Sequence, residues 1–152
     1  MLECASPSGH WSWYQETTIA SDADCGRQAL DVILQQLAEH CWSVRNVFGI
    51  HLALEEALVN AIKHGNKYSP EKQVRICCGI TSEFFCIRIE DEGDGFDPAR
   101  LPDPRTDEWI DVPNGRGVLL MRKFMDRVEY NERGNAVLLE KYNRPPEPED
   151  AD

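Results

Sequence analysis

The chain lacks any apolar run approaching the roughly 20 residues needed to cross a bilayer, so no helical membrane span is expected. Its opening, MLECASPSGHWSWYQE, has neither the basic nor the apolar region of a signal peptide, and the expected compartment is the cytoplasm. Basic residues are scarce. Sixteen Lys and Arg stand against 27 Asp and Glu, a formal net charge of −11. Affinity for nucleic acid comes mainly from cations on phosphates, so no nucleic-acid partner is expected. A bound nucleotide would need a local site, with a bridging metal ion, to overcome this field. No C-x-x-C pair and no finger-like Cys/His spacing occurs, which argues against zinc. The six cysteines, Cys4, Cys25, Cys41, Cys77, Cys78 and Cys86, are therefore expected as free thiols. The last three lie in strand-like runs, where a small buried hydrophobe is the expected role. A Walker A lysine motif is also missing.

What remains is the composition of one globular domain: 152 residues, 41% hydrophobic and 28% charged. Residues 1–10 carry no period and are expected to be flexible. WSWYQETTIA suggests a first strand. Ser21 with Asp24 resembles a capping box, opening a helix whose apolar stripe is Leu30, Leu34, Leu37 and Cys41. A second helix is predicted from about Val44 to His64, with Gly65 as its C-terminal cap. QVRICCGI and EFFCIRIE form a predicted hairpin around Thr81-Ser82. The stretch 97–114 holds four prolines and no sustained period, a length of loop that is usually functional. VLLMRKFMD then has helical spacing at Val118, Met121, Phe124 and Met125, and RVEYNE with NAVLLEKY makes a second hairpin at Arg133-Gly134. The Pro-rich acidic tail, 143–152, is expected to be disordered. The order β-α-α-β-β-loop-α-β-β predicts an α+β two-layer sandwich, a mixed, largely antiparallel sheet covered on one face by helices.

Three short patterns carry chemistry. On a wheel of ~100° per residue with Glu56 at zero, Asn60 falls at about 40°, Lys63 at about −20° and His64 at about 80°. Leu58 lies opposite, and Glu55 sits nearer the aliphatic side. Taken alone, such a stripe does not separate a solvated face from one that meets a ligand. Asp91-Glu92-Gly93-Asp94-Gly95 follows a strand. It is not an EF-hand loop, because Leu101 falls where the bidentate glutamate belongs, and no helix opens there as in a Rossmann fingerprint. A buried carboxylate at that strand end, with glycines allowing close backbone approach, suits an exocyclic amine. Gly115-Arg116-Gly117 opens a helix whose free N–H groups suit an anion such as phosphate.

In order, E-x-x-x-N-x-x-x-H-G, D-x-G-x-G and G-x-G resemble the N, G1 and G2 boxes of the GHKL ATPase superfamily. EEALVNAIKHGN and NGRGVLLMRKFMD resemble most the small anti-sigma-factor serine/threonine kinases of that superfamily, over roughly residues 12–142. The resemblance implies the GHKL (Bergerat) fold and one ATP-binding kinase domain over 11–142, with a lid at 97–114. It implies ATP and Mg²⁺ as cofactors, with Asn60 as the metal ligand and Glu56 as general base. Asp91 would recognise the adenine amine, Gly93 and Gly95 would let the backbone approach the nucleotide, and Gly115, Arg116 and Gly117 would lie near the phosphates. His64 and Gly65 would line the same pocket. Relatives carry a Gly-Thr-Thr-Val-like strand whose threonine helps hold adenine. Here Gly134-Asn135-Ala136-Val137 stands instead, leaving that contact to Asn135 or a water. The implied activity is phosphorylation of a STAS-type anti-anti-sigma partner, regulating a sigma factor by partner switching, from a homodimer. The alternative is a nucleotide-sensing binding module that transfers no phosphate. A sensor histidine kinase fits less well, since no helix with a phosphoacceptor histidine precedes the ATPase boxes.

Overall fold

The computed structural model describes residues 2–95 and 115–145, apart from the side chain of Arg116. The predicted lid, 97–114, lies outside the described residues, as does the tail from 146 onward.

The chain alternates between strand and helix in the expected order. Strand β1 (Trp13–Ala20) leads to α1 (Ala23–Glu39) and α2 (Val44–Val59), followed by a π-helical turn over Asn60–Gly65. Strands β2 (Gln73–Ile80) and β3 (Phe84–Glu90) precede α3 (Gly115–Phe124), then β4 (Arg127–Tyr130) and β5 (Ala136–Tyr142). The five strands form one sheet in the order β1-β2-β3-β5-β4, with every pairing antiparallel.

Alternation along the strands separates two faces. Val74, Ile76, Cys78, Ile80, Phe85, Ile87, Ile89, Val137 and Leu139 point to the helices and join Leu30, Ile33, Leu37, Ile50, Leu54, Val118 and Met121 in the main core. The register sets these residues side by side, with Ile76 opposite Ile89 and Ile87 opposite Leu139. This arrangement is the α+β sandwich expected from the sequence.

Local details differ from the sequence reading. The cap of α1 is Asp22, whose side chain accepts from Asp24 N at 2.6 Å. Ser21 is buried instead, donating to Lys72 O at 2.6 Å and accepting from Asn66 Nδ2 at 2.8 Å. Burial binds the hydroxyl to a long-range partner, so the next polar residue takes the cap. Ile33 completes the stripe of α1, and Cys41 lies exposed beyond the helix with a φ of 66°. Residues 2–12 lie along the outer face of the sheet, where Leu2, Cys4 and Trp11 pack against Phe84, Cys86 and Leu138. Asn143 bridges segments at the far end, donating to Cys41 O and Ser82 O and accepting from Asn46 Nδ2 at 3.0 Å.

Candidate functional site

The second helix does not end on Gly65 as a left-handed cap. The last turn widens from Asn60, and Asn66 N donates to Ala61 O at 2.9 Å, an i→i+5 bond. Left-handed φ values fall later, at Lys67 (53°) and Tyr68 (57°). One extra residue in the turn rotates everything after it. Asn60 and His64 therefore face a cleft against the sheet, while Lys63 turns to a groove between α1 and α2. The single polar stripe drawn on an α-helical wheel is split in two.

Gly65 serves a different need. A Cβ there would coincide with the Asp91 carboxylate. The glycine lets the end of the π-turn lie directly on the strand end that carries the acid. Gly93 packs on the Gly65 carbonyl in the same way. Gly95 has a φ of 77° and touches Arg133 O, closing the turn against the β4–β5 hairpin.

Asp91 sits at the floor of the cleft, 8% exposed. Burial pushes its carboxyl from an ordinary 3.8 up to about 6, partly opposed by the Gly93 N–H, which donates to Oδ1 at 2.8 Å. The backbone on both sides of it is tied down. Asp91 N donates to Asn135 O at 2.8 Å, and Asn135 Nδ2 donates to Asp91 O at 2.8 Å. Asn135 Oδ1 in turn accepts from Asn131 Nδ2 at 2.7 Å. Asn135 thus lines the cleft with its side-chain amide already engaged in holding Asp91.

Asn66 has no part in the sequence reading, yet it joins three segments. It is 1% exposed, donates to Ser21 Oγ and to Gln73 O at 3.0 Å, and accepts from Glu92 N at 2.7 Å. Position alone could have suggested it, because it follows the H-G pair, but no short motif marks a buried staple. Tyr130 likewise falls in a predicted strand and belongs to none of the three motifs. It lines the cleft beside Asn60, and burial pushes its phenol well above the usual range, which keeps it neutral.

The cleft encloses about 50 Å³, well below the volume of a typical small-ligand site, so its walls must part to admit a nucleotide. Of the sequence-predicted residues, Asn60, His64, Gly65, Asp91, Gly95 and Asn135 line it. Glu56 does not: it lines the groove between α1 and α2 with Lys63, and Gly117 of α3 packs beside both Glu56 and Asn60. A Cβ on Gly117 would lie 2.8 Å from Glu56 Oε2 and 3.3 Å from Asn60 Nδ2. The first turn of α3, which begins at Gly115, therefore docks onto the Glu56–Asn60 pair. Glu55, by contrast, pairs with His51 at 2.9 Å on the exposed side of α2. Burial, and then Lys63, lower the pKa of His64, so its imidazole is neutral near pH 7.

Asn60 Nδ2 is buried and has no hydrogen-bond partner among the described residues. The Tyr130 phenol beside it is at most a weak partner for the Asn60 side chain, which leaves the amide able to meet a ligand. Turning the amide over puts Oδ1 in the same place, a neutral oxygen donor of the kind Mg²⁺ takes when phosphates supply most of the charge. Among the described residues no three His, Cys, Asp or Glu side chains cluster as a metal cage. A cation held by Asn60 and a polyphosphate fits this donor set; a protein-only metal centre does not.

Residues 19–141 match the model of the histidine kinase-like ATPase domain. Several named proteins are similar over much of the chain. The serine/threonine-protein kinase BtrW of Bordetella bronchiseptica is 30% identical over 94 residues, 60% of this chain and 66% of the relative. The serine-protein kinase RsbW of Staphylococcus epidermidis is 32% identical over 99 residues, 60% of this chain and 62% of the relative. An anti-sigma F factor of Bacillus cytotoxicus is 34% identical over 119 residues, 74% of each chain. The match thus spans about two thirds of the two kinases' own length. With a helix-backed antiparallel sheet and a family match across nearly all of it, the chain belongs to the histidine kinase-like ATPase domain family.

Proposed function

We propose that this protein is an anti-sigma-factor-type serine/threonine protein kinase that uses Mg-ATP and phosphorylates a STAS-domain anti-anti-sigma partner. The carrying observation is that the first turn of α3 packs against both Glu56 Oε2 and Asn60 Nδ2, while Asn60 also lines the cleft that holds Asp91. The names of the similar proteins, kinases and anti-sigma factors, support the same reading.

In this reading Asp91 accepts a hydrogen bond from the adenine amine, and Gly65, Gly93 and Gly95 let the backbone lie close to the nucleotide. Asn60 holds Mg²⁺, which when bound neutralises charge on the β- and γ-phosphates. In this reading the N–H groups of Gly115, Arg116 and Gly117 face the phosphates, and 97–114 is the ATP lid. His64, neutral at physiological pH, lines the pocket without adding charge. Glu56 takes the proton from the partner's Ser or Thr hydroxyl as its oxygen bonds to the γ-phosphorus. The bond from that phosphorus to the β–γ bridging oxygen breaks, and ADP leaves. Transfer of this kind depends chiefly on positioning and charge stabilisation. The protein would act in the cytoplasm as a homodimer, releasing or retaining a sigma factor according to the phosphorylation state of the partner.

A second reading, a nucleotide-sensing module without phosphotransfer, is favoured by one feature. Asn135-Ala136 stands where relatives offer a threonine to adenine, and the Asn135 amide is engaged with Asp91 and Asn131. Intact mass spectrometry of the STAS partner after incubation with Mg-ATP decides between the two. A mass gain of one phosphoryl group supports the kinase. Stoichiometric capture of an unmodified partner supports the module.

A further inference from the structure

The outer face of the sheet, opposite the helices and the cleft, carries thiols that the proposed function does not use. Cys86 is fully buried there, and its Sγ lies 3.0 Å from Cys4 Sγ, across 82 positions of sequence. Cys4 is half-buried and donates to Cys77 O at 3.5 Å, so it meets the Cys77 backbone rather than its thiol. The Cys77 thiol faces Glu16 instead, at 3.8 Å. Among these three, Cys4 and Cys86 are the pair in line with each other.

The segment that brings Cys4 there has a shaped seat. Trp11 stacks on Phe84 with ring centroids 6.0 Å apart and planes 23° apart. A Cβ on Gly79 would lie 2.5 Å from the Trp11 ring, so the glycine makes room for the indole. Ser12 N donates to Ile80 O at 3.1 Å and fixes the segment's exit onto the edge strand. Leu2 packs on the same patch as Cys4.

We infer that Cys4 and Cys86 form an oxidation site at which a hydroperoxide converts two thiols into a disulfide, fastening residues 2–12 to the outer face of the sheet. The two sulfurs are already within about 1 Å of bonding distance. The half-buried Cys4 is the thiol a peroxide reaches. Its sulfur takes one peroxide oxygen to become a sulfenic acid, and water leaves. Cys86 Sγ then bonds to Cys4 Sγ, the S–O bond breaks, and the departing hydroxyl takes the Cys86 proton to leave as a second water. Glu140 Oε2, 4.0 Å from Cys86 Sγ, lies close enough to assist that proton. The contact with Cys4, and then burial, raise the pKa of the Cys86 thiol, so peroxide meets Cys4 first, and Cys86 reacts because its sulfur already lies against Cys4. The disulfide closes a long loop and restricts the unfolded chain, so the oxidised protein gains heat resistance.

The test treats the reduced full-length protein with hydrogen peroxide, blocks remaining thiols and maps peptides without reduction. A Cys4–Cys86 linked peptide is expected, retained in Cys77→Ser and absent in Cys4→Ser. The melting temperature should rise by on the order of 10 °C and return on adding dithiothreitol. Gly79→Val, which drives Trp11 off its seat, should slow bond formation without altering either thiol. The inference is overturned by Cys4 linked to Cys77, by disulfides only between chains through the exposed Cys41, or by Cys4 reaching sulfinic acid while Cys86 remains free to alkylate.

Discussion

Single residues decide how the cleft responds to pH. Asp91 has a folded pKa of about 6 against an ordinary 3.8, so between those values the folded protein holds a proton more firmly than the unfolded chain. That contribution to stability is full below the unfolded value and is lost as pH rises through about 6. Without nucleotide, resistance to urea should therefore decline from about pH 4 to about pH 6 and then level off. Asp91→Asn should flatten this slope. An adenine amine needs the ionised carboxylate, so ADP affinity should run the opposite way, weakening below about pH 6. At pH 7.5 Asp91→Asn should weaken ADP by roughly tenfold to a hundredfold in calorimetry, the loss of one charged hydrogen bond. A variant both less stable and weaker in binding would point to a structural acid instead.

Elements were legible where periodicity spoke and illegible where tertiary contacts overrode it. The alternation in QVRICCGI and the spacing in VLLMRKFMD survive intact, because burial of one face is what writes such patterns. The π-turn at Asn60–Gly65 does not appear in any 3.6-residue period, since it arises where the chain must bring Asn60 and His64 to the cleft while Gly65 lies on Asp91. Ser21 was misread for a related reason: its partner, Asn66, lies 45 positions away. Asn66→Ala should cost about 2–4 kcal/mol in urea denaturation, because it leaves Glu92 N without its acceptor and removes the donor to Gln73 O and Ser21 Oγ. The docking of α3 onto α2 gives a separate prediction. Gly117→Ala places a methyl 2.8 Å from Glu56 Oε2. Phosphotransfer should fall at least tenfold, on the scale of a small displacement at a reacting group, while the Kd for ADP changes far less.

At the scale of the whole molecule, the sheet divides two chemistries. Its inner face and the helices hold the cleft, and its outer face carries the Trp11 seat and the Cys4–Cys86 pair. The three glycine-bearing boxes were readable because each meets a requirement at one point of the backbone. The cover over the outer face was not readable, since MLECASPSGH shows no period and its packing depends on residues that strand pairing assembles. The net charge of −11 also takes on meaning at this scale. An acidic molecule holds a polyphosphate only through a local device, and in the proposed function Asn60 with the N–H groups of α3 is that device.

The most direct measurement is single-turnover transfer of labelled γ-phosphoryl from Mg-ATP to the cognate STAS-domain protein, with ADP affinity measured alongside, for wild type and Glu56→Gln. Wild type should label a Ser or Thr of the partner, and Glu56→Gln should lose about 100-fold or more in rate while binding ADP within a few-fold of wild type. Undiminished labelling by Glu56→Gln, or no binding of ADP or ATP in the presence of Mg²⁺, would contradict the account.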